Sequence, residues 1–167
     1  CKTLAYHFRE TAFLTKGLKI NLYDRRSDEE RDHDDYKQDV KREYHFHYEG
    51  GIKEFVQYAN RTRTPLYPEI FYAEGSKDGV YVEVAFQHND EYNETIFSFV
   101  NNINTTDGGT HLAGFKSGLT KTVNEYGRKF GLLKDGDKSL TGDDIREGIM
   151  AVINIKISEP QFEGQTK

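Results

Sequence analysis

The side chains best suited to chemistry stand in the closing stretch Glu159-Pro-Gln-Phe-Glu-Gly-Gln-Thr-Lys167. Lys167 is a compact positive charge with three donors that fits phosphate oxygens, and Gln165 adds an amide with donors and an acceptor. Gly164 lets the backbone approach a ligand closely. Glu159 and Glu163 flank the loop and could order it. By chemistry alone the string is also what a solvated surface turn looks like.

Other candidates are weaker. His45 and His47 sit two apart on a strand pattern, a spacing that can bring two imidazoles to one metal, and His33 precedes them. Zinc needs three or four ligands, no further partner stands at a matching position, and the pair reads as the polar face of a strand. Asp143 and Asp144 read as helix-start residues behind Thr141, where the helix dipole favours acids. His111 follows Gly108-Gly-Thr110 at a helix start. The open amides there could take a phosphate, or the glycines shape a tight loop and His111 hydrogen-bonds locally. No Walker A loop and no dinucleotide fingerprint is present. A nucleophile with a paired base is also missing, so the residues alone describe a non-catalytic α+β domain with one exposed Lys loop.

Several elements must position these groups. Leu4, Ala5, Phe8 and Ala12 share a helical face over residues 3–15, and Gly17 supplies the cap. Two alternating strands follow, at 18–23 and 42–48, able to pair across an acidic loop from Asp24 to Glu43. Ile52, Phe55, Val56 and Ala59 form a second helical stripe that stops by Asn60. Thr62-Arg-Thr-Pro65 is extended by its proline and marks the expected domain boundary. Beyond it, strands are expected at 69–73, 80–87 and 95–100, with a turn over Gly75-Ser-Lys-Asp-Gly79, as a meander. A helix from Thr110 carries Leu112, Phe115, Leu119, Val123 and Tyr126 on its inner stripe, with Lys116, Lys121 and Arg128 elsewhere on its surface. The strand Ile149 to Ile157 then leads straight into the closing loop. Strands, then helix, then strand predict an α+β fold, or a two-layer sandwich with helices on one face of a mixed sheet.

Composition sets bounds. The chain has 167 residues, 11 Tyr, 11 Phe, no Trp and a net charge of −5, enough length for a proper core and without the basic bias usual in a nucleic-acid module. Its one cysteine, Cys1, excludes an intrachain disulfide and metal sites built from Cys clusters. No apolar run is long enough to span a bilayer and no basic leader precedes one, so a cytoplasmic protein is expected. The chain opens on Cys1 and enters a helical pattern at once, as a fragment of something longer would.

Six blocks in order carry a resemblance. They are Tyr48-Glu-Gly-Gly-Ile-Lys-Glu-Phe-Val56, Val82-Glu-Val-Ala-Phe-Gln-His-Asn-Asp90, Ser98-Phe-Val-Asn-Asn-Ile-Asn104, Gly108-Gly-Thr-His-Leu-Ala-Gly-Phe115, Gly142-Asp-Asp-Ile-Arg-Glu-Gly148 and Pro160-Gln-Phe-Glu-Gly-Gln-Thr-Lys167. Together they resemble the ATPase subunit of bacterial type IIA topoisomerases, over nearly the whole chain. Thr64-Pro-Leu66 and Gly109-Thr-His-Leu112 resemble the gyrase branch somewhat more than the topoisomerase IV branch. The resemblance implies that residues 1–64 end a GHKL-type ATPase domain. It implies that 65–167 begin a transducer domain similar in fold to ribosomal protein S5 domain 2. In that family Gln and Lys of the closing loop contact the terminal phosphate of ATP, which carries over to Gln165 and Lys167. Lys116 matches a basic position that faces DNA. ATP and Mg2+ are the implied cofactors of the intact protein, and its partners are DNA, a second B subunit, and the gyrase A subunit. The family's catalytic Glu, magnesium-binding Asn and nucleotide lid would precede residue 1. The chain by itself is therefore expected neither to hydrolyse ATP nor to bind it tightly. The other reading is a binding module that kept the architecture without the chemistry.

Overall fold

The computed structural model describes residues 2–27 and 41–162. It divides into two compact units, Cys1–Glu54 and Phe55–Lys167.

In the first unit helix α1 (Lys2–Leu14) lies beside a two-stranded antiparallel sheet of β1 (Lys19–Tyr23) and β2 (Glu43–His47). The two alternating strands do pair, with Ile20 opposite Phe46 and Leu22 opposite Tyr44. Ala5, Ala12 and Phe46 are buried together, and Phe8, Ile20, Leu22, Tyr44 and Tyr48 pack around them. Phe13 stacks on Tyr48 at 3.7 Å between ring centroids. Leu4 departs from the expected stripe and is 52% exposed. One residue is a rotation of about 100° on a helix, so a face centred on Ala5 and Ala12 carries Leu4 off its edge. Gly17 takes φ +82°, the left-handed value of a helix terminator. Of the acidic loop, residues 28–40 lie outside the described residues.

The second unit is built on a mixed five-stranded sheet. Its strands are β3 (Phe71–Lys77), β4 (Val80–His88), β5 (Thr95–Val100), β6 (Ile103–Asn104) and β7 (Ile149–Lys156). They lie in the order β3-β4-β7-β5-β6. The expected meander is corrected here. β7 lies between β4 and β5, antiparallel to the first and parallel to the second. The reason is in its composition: Ile-Met-Ala-Val-Ile-Asn-Ile is buried residue after residue, and a strand apolar on both faces belongs at the centre of a sheet. Each large aliphatic side chain buried there contributes about 2 kcal/mol. The β3–β4 turn is also tighter than expected. Lys77 pairs with Val80, leaving Asp78 and Gly79 alone at φ 52° and 78°, the two-residue turn that Asp-Gly favours.

Helix α2 (Ile52–Ala59) and helix α3 (Thr110–Lys129) contribute to opposite faces of this sheet, which corrects the expected placement of helices on one face: the sheet's central strand is apolar on both sides and needs cover on both. Phe55 lies 5.3 Å from Phe97 and 6.0 Å from Phe99, ring to ring. On the other face Phe115 of α3 meets Phe86 edge-on at 6.5 Å. Tyr126 is 57% exposed rather than inward, and Gly127 is buried in its place, where a Cβ would stand 3.1 Å from Leu133. The last turn of α3 thus sits too close to the following loop for a ring. Helix α4 (Gly142–Arg146) starts as its sequence predicts. Thr141 caps it and Asp144 returns the bond to the Thr141 N–H at 2.9 Å.

Candidate functional site

β7 is the element that delivers the closing loop, and its exit is well defined. Pairing with β5 runs to Val100 opposite Ile155, and the Asn101 N–H then donates to the Ile155 carbonyl at 2.8 Å. There the β5 chain turns away, with Asn101 at φ 49° and Asn102 at φ 64°. The Asn101 side chain takes over the pairing. Its Nδ2 donates to the Ile157 carbonyl at 2.8 Å and its Oδ1 accepts from the Ile157 N–H at 3.0 Å. Sequence reasoning did not single out Asn101. The signal available was an Asn-Asn pair directly after a strand, the residue type that best tolerates positive φ after glycine. The chain is described from Ile157 as far as Phe162, whereas Glu163, Gly164, Gln165 and Lys167 lie outside the described residues.

Lys116 projects from α3 beside Arg146 of α4, and both reach one carboxylate. The Lys116 ammonium pairs with Glu94 Oε1, while Arg146 donates to Glu94 Oε2 at 2.8 Å and to Asp143 at 2.9 Å. Burial alone would raise the Glu94 pKa. The hydrogen bonds from Lys116 and Arg146 outweigh it and hold Glu94 below the usual carboxylate range. Along the same face Lys116, Thr120, Lys121, Asn124, Arg128 and Arg146 line an open groove of about 580 Å3. Of its four cations, Lys116 and Arg146 are paired with Glu94, and Lys121 with Glu125. Asp143 and Asp144 play the helix-start part expected of them, Asp144 being held low in pKa by the Thr141 side chain and backbone.

His111 resolves in favour of a local bond. Thr105 Oγ1 donates to the Ser98 carbonyl at 2.9 Å, so His111 Nε2, 2.9 Å from the same oxygen, is the donor to it. Burial lowers the His111 pKa and so disfavours the charged ring. His45 and His47 are exposed on β2, where His45 Nδ1 meets Asn21 at 2.7 Å and His47 meets Glu49 at 2.7 Å. His33 lies outside the described residues. Among the described residues no group of three or more His, Cys, Asp or Glu is placed to hold a metal ion. No described helix is long and apolar enough to cross a membrane.

The family model described as DNA gyrase B matches residues 51–167. The chain belongs to the DNA gyrase B family. The B subunit of DNA gyrase from Clostridium acetobutylicum is 55% identical over 166 residues, 99% of this chain and 24% of that protein. The B subunit of DNA topoisomerase 4 from Enterococcus faecalis is 51% identical over 166 residues, 98% of this chain and 22% of that protein. Among solved structures, the 43K ATPase domain of Thermus thermophilus gyrase B in complex with an aminocoumarin superimposes with a TM-score of 0.81. It is 37% identical and covers 97% of this chain and 41% of that one. This gyrase B family chain therefore has the mixed α+β fold of the ATPase region, and it spans between about a fifth and two fifths of the length of the curated relatives it matches.

Proposed function

We propose that this chain is the part of a gyrase B subunit that couples ATP binding and hydrolysis to DNA strand passage and negative supercoiling. Residues 1–64 end its GHKL-type ATPase domain and residues 65–167 open its transducer. Gln165 and Lys167 contact the terminal phosphate of ATP. The observation that carries this reading is the placement of β7, the fully paired centre of the sheet, directly before the closing loop. A charge on so stiff a support reports the phosphate to the whole sheet. While the phosphate is present, Lys167 favours the state in which the two domains are tied through it. Hydrolysis removes the group it holds, and the balance shifts to the released state.

In this reading ATP and Mg2+ serve the intact enzyme in the cytoplasm, whose partners are DNA, a second B subunit, and the gyrase A subunit. No residue of this chain is assigned to the metal, and the chain by itself is inactive. The deciding experiment is Lys167→Ala in the full-length protein, where ATP hydrolysis is expected to be lost. Unchanged hydrolysis, or turnover of ATP by the purified 167-residue chain, overturns the reading. The identity to a topoisomerase 4 relative supports a second one, a topoisomerase IV segment. Negative supercoiling by the full-length protein with its gyrase A partner decides for gyrase.

A further inference from the structure

We propose that the open edge of β3 and the sheet face beside it form a docking site for an extended basic segment of a protein partner, with a Lys or Arg side chain seated between Glu74 and Glu83. β3 is an outer strand of its sheet, and among the described residues no strand pairs with its outer edge. All seven of its residues are exposed. It contains no proline, so every backbone N–H is present. Its outer row of peptide groups can take one more strand.

What that strand must carry follows from the two faces of β3. On one face Tyr72, Glu74 and Ser76 alternate, and Glu74 stands directly opposite Glu83 of β4. Like charges so placed repel unless something positive lies between them. Here a neutral group does: the Tyr72 hydroxyl is 2.8 Å from Glu74 Oε2 and 3.0 Å from Glu83 Oε2. A hydroxyl has one proton, so it serves one carboxylate at a time. Tyr81 brings a second proton, which it donates to Glu74 Oε2 at 2.7 Å. Both phenols keep their protons. Burial, followed by the bonds to the two carboxylates, raises the Tyr72 pKa, and the bond to Glu74, followed by burial, raises that of Tyr81.

The floor of the cluster is short of donors as well. Asn154 of β7 is fully buried and turns its amide toward Glu83, with Nδ2 donating to Glu83 Oε1 at 2.9 Å. Its Oδ1 has no hydrogen-bond partner among the described residues, a state in which buried acceptors are seldom left. Lys156, opposite Tyr81 on β7, holds its ammonium 5.7 Å from the Tyr81 ring centroid, so a ring of this face already takes a cation. A guanidinium or ammonium group entering from the edge supplies the missing positive donors. In a strand paired with β3, the residue opposite Glu74 points to this same face. On the other face Phe71 is 53% exposed and alternates with Ala73 and Gly75, which suits apolar neighbours. The partner segment therefore alternates basic and apolar residues.

The test uses the full-length protein and a capped, fluorescent peptide Lys-Val-Lys-Val-Lys-Val-Lys, with binding read by anisotropy and by amide hydrogen exchange. The peptide is expected to bind, to weaken as salt rises, and to slow exchange in residues 71–77. Glu74→Gln and Glu83→Gln keep the shape and remove one charge each. Each should weaken binding about fivefold, the upper end for a partly exposed ion pair. The same peptide with Glu in place of Lys should not bind. Two further peptides carry N-methyl groups at the Lys positions only or at the Val positions only. Successive residues of a strand bond to opposite edges, so one of the two should lose binding and the other keep it. Unslowed exchange in 71–77, undiminished affinity in both charge variants, or equal binding of the two methylated peptides overturns the proposal. So does binding of Mg2+ at the two carboxylates with none of the peptide. Should Glu83→Gln not fold, the exposed Glu74→Gln and the methylated peptides decide the matter.

Discussion

Asn60 and Gln87 share a buried hydrogen bond, Nδ2 to Oε1 at 2.9 Å, that fastens the end of α2 to the end of β4. The chain of amides continues on both sides. Asn89 donates to Asn60 Oδ1 at 2.8 Å, and Gln87 donates to the Tyr67 carbonyl at 2.8 Å. Asn60→Ala leaves Gln87 Oε1 and Asn89 Nδ2 buried and unpaired, each costing about 1–3 kcal/mol. Urea unfolding of the chain is expected to show a loss of about 2–6 kcal/mol. A loss no larger than an ordinary surface substitution would mean the amides find other partners.

Glu94 accepts from Lys116 and Arg146, and its folded pKa is depressed. A depressed carboxylate stabilises the fold above its unfolded pKa, and that contribution disappears as pH falls through the folded value. Glu94→Gln should therefore melt earlier than the parent at neutral pH. The gap should begin to close as pH falls below about 4.5, the ordinary Glu value, and vanish only once pH has passed below the depressed folded value. Its side chain is 39% exposed, so the gap is a screened one. A gap that persists undiminished into acid would assign the loss to packing instead.

Glu10 shows the opposite sign. It is buried on α1, its Oε1 has no hydrogen-bond partner among the described residues, and burial raises its pKa against the pull of Tyr6 and His7. A raised carboxyl favours the fold below its unfolded pKa and ceases to as pH rises through the folded one. Glu10→Gln is expected to raise the melting temperature of the chain at neutral pH and to have little effect at about pH 4. A lower midpoint at neutral pH would show that the carboxylate is satisfied as an anion.

Lys116 offers a test of the DNA-facing reading of α3. In the full-length protein Lys116→Glu places a negative charge beside Glu94 on the rim of the basic groove. DNA-stimulated ATP hydrolysis and supercoiling should fall, and the salt dependence of DNA binding should flatten by about one counterion. If neither changes, the ion pair with Glu94 is the whole of its role.

Much of the fold could be read from local pattern. The Asp-Gly turn, the Thr141 cap with Asp144 three residues on, and the pairing of 18–23 with 42–48 all follow from chemistry within reach of a few neighbours. What the pattern concealed was non-local. Nothing near Thr95 says that Ile149–Lys156 will come between it and Val80–His88; that follows only from asking which strand can bear burial on both faces. Tyr126 and Gly127 misled for a related reason, since a loop that returns over the helix decides which of the two turns inward. For the site, Gln165 and Lys167 rest on family resemblance rather than composition, and both lie outside the described residues. Asn101 was hidden because its work is done by a side chain posing as backbone, which no periodicity reveals.

The strand order has a consequence for how the protein is made. β7 is the last of the five strands to leave the ribosome, yet it is the seam that joins β3–β4 to β5–β6. Until residue 156 has emerged, two separate strand pairs wait with open inner edges, exposed to mispairing in a way that a meander made from one end to the other would avoid. Closure of the sheet and presentation of the loop that follows it are then a single late event. A nascent chain halted before Ile149 would have neither.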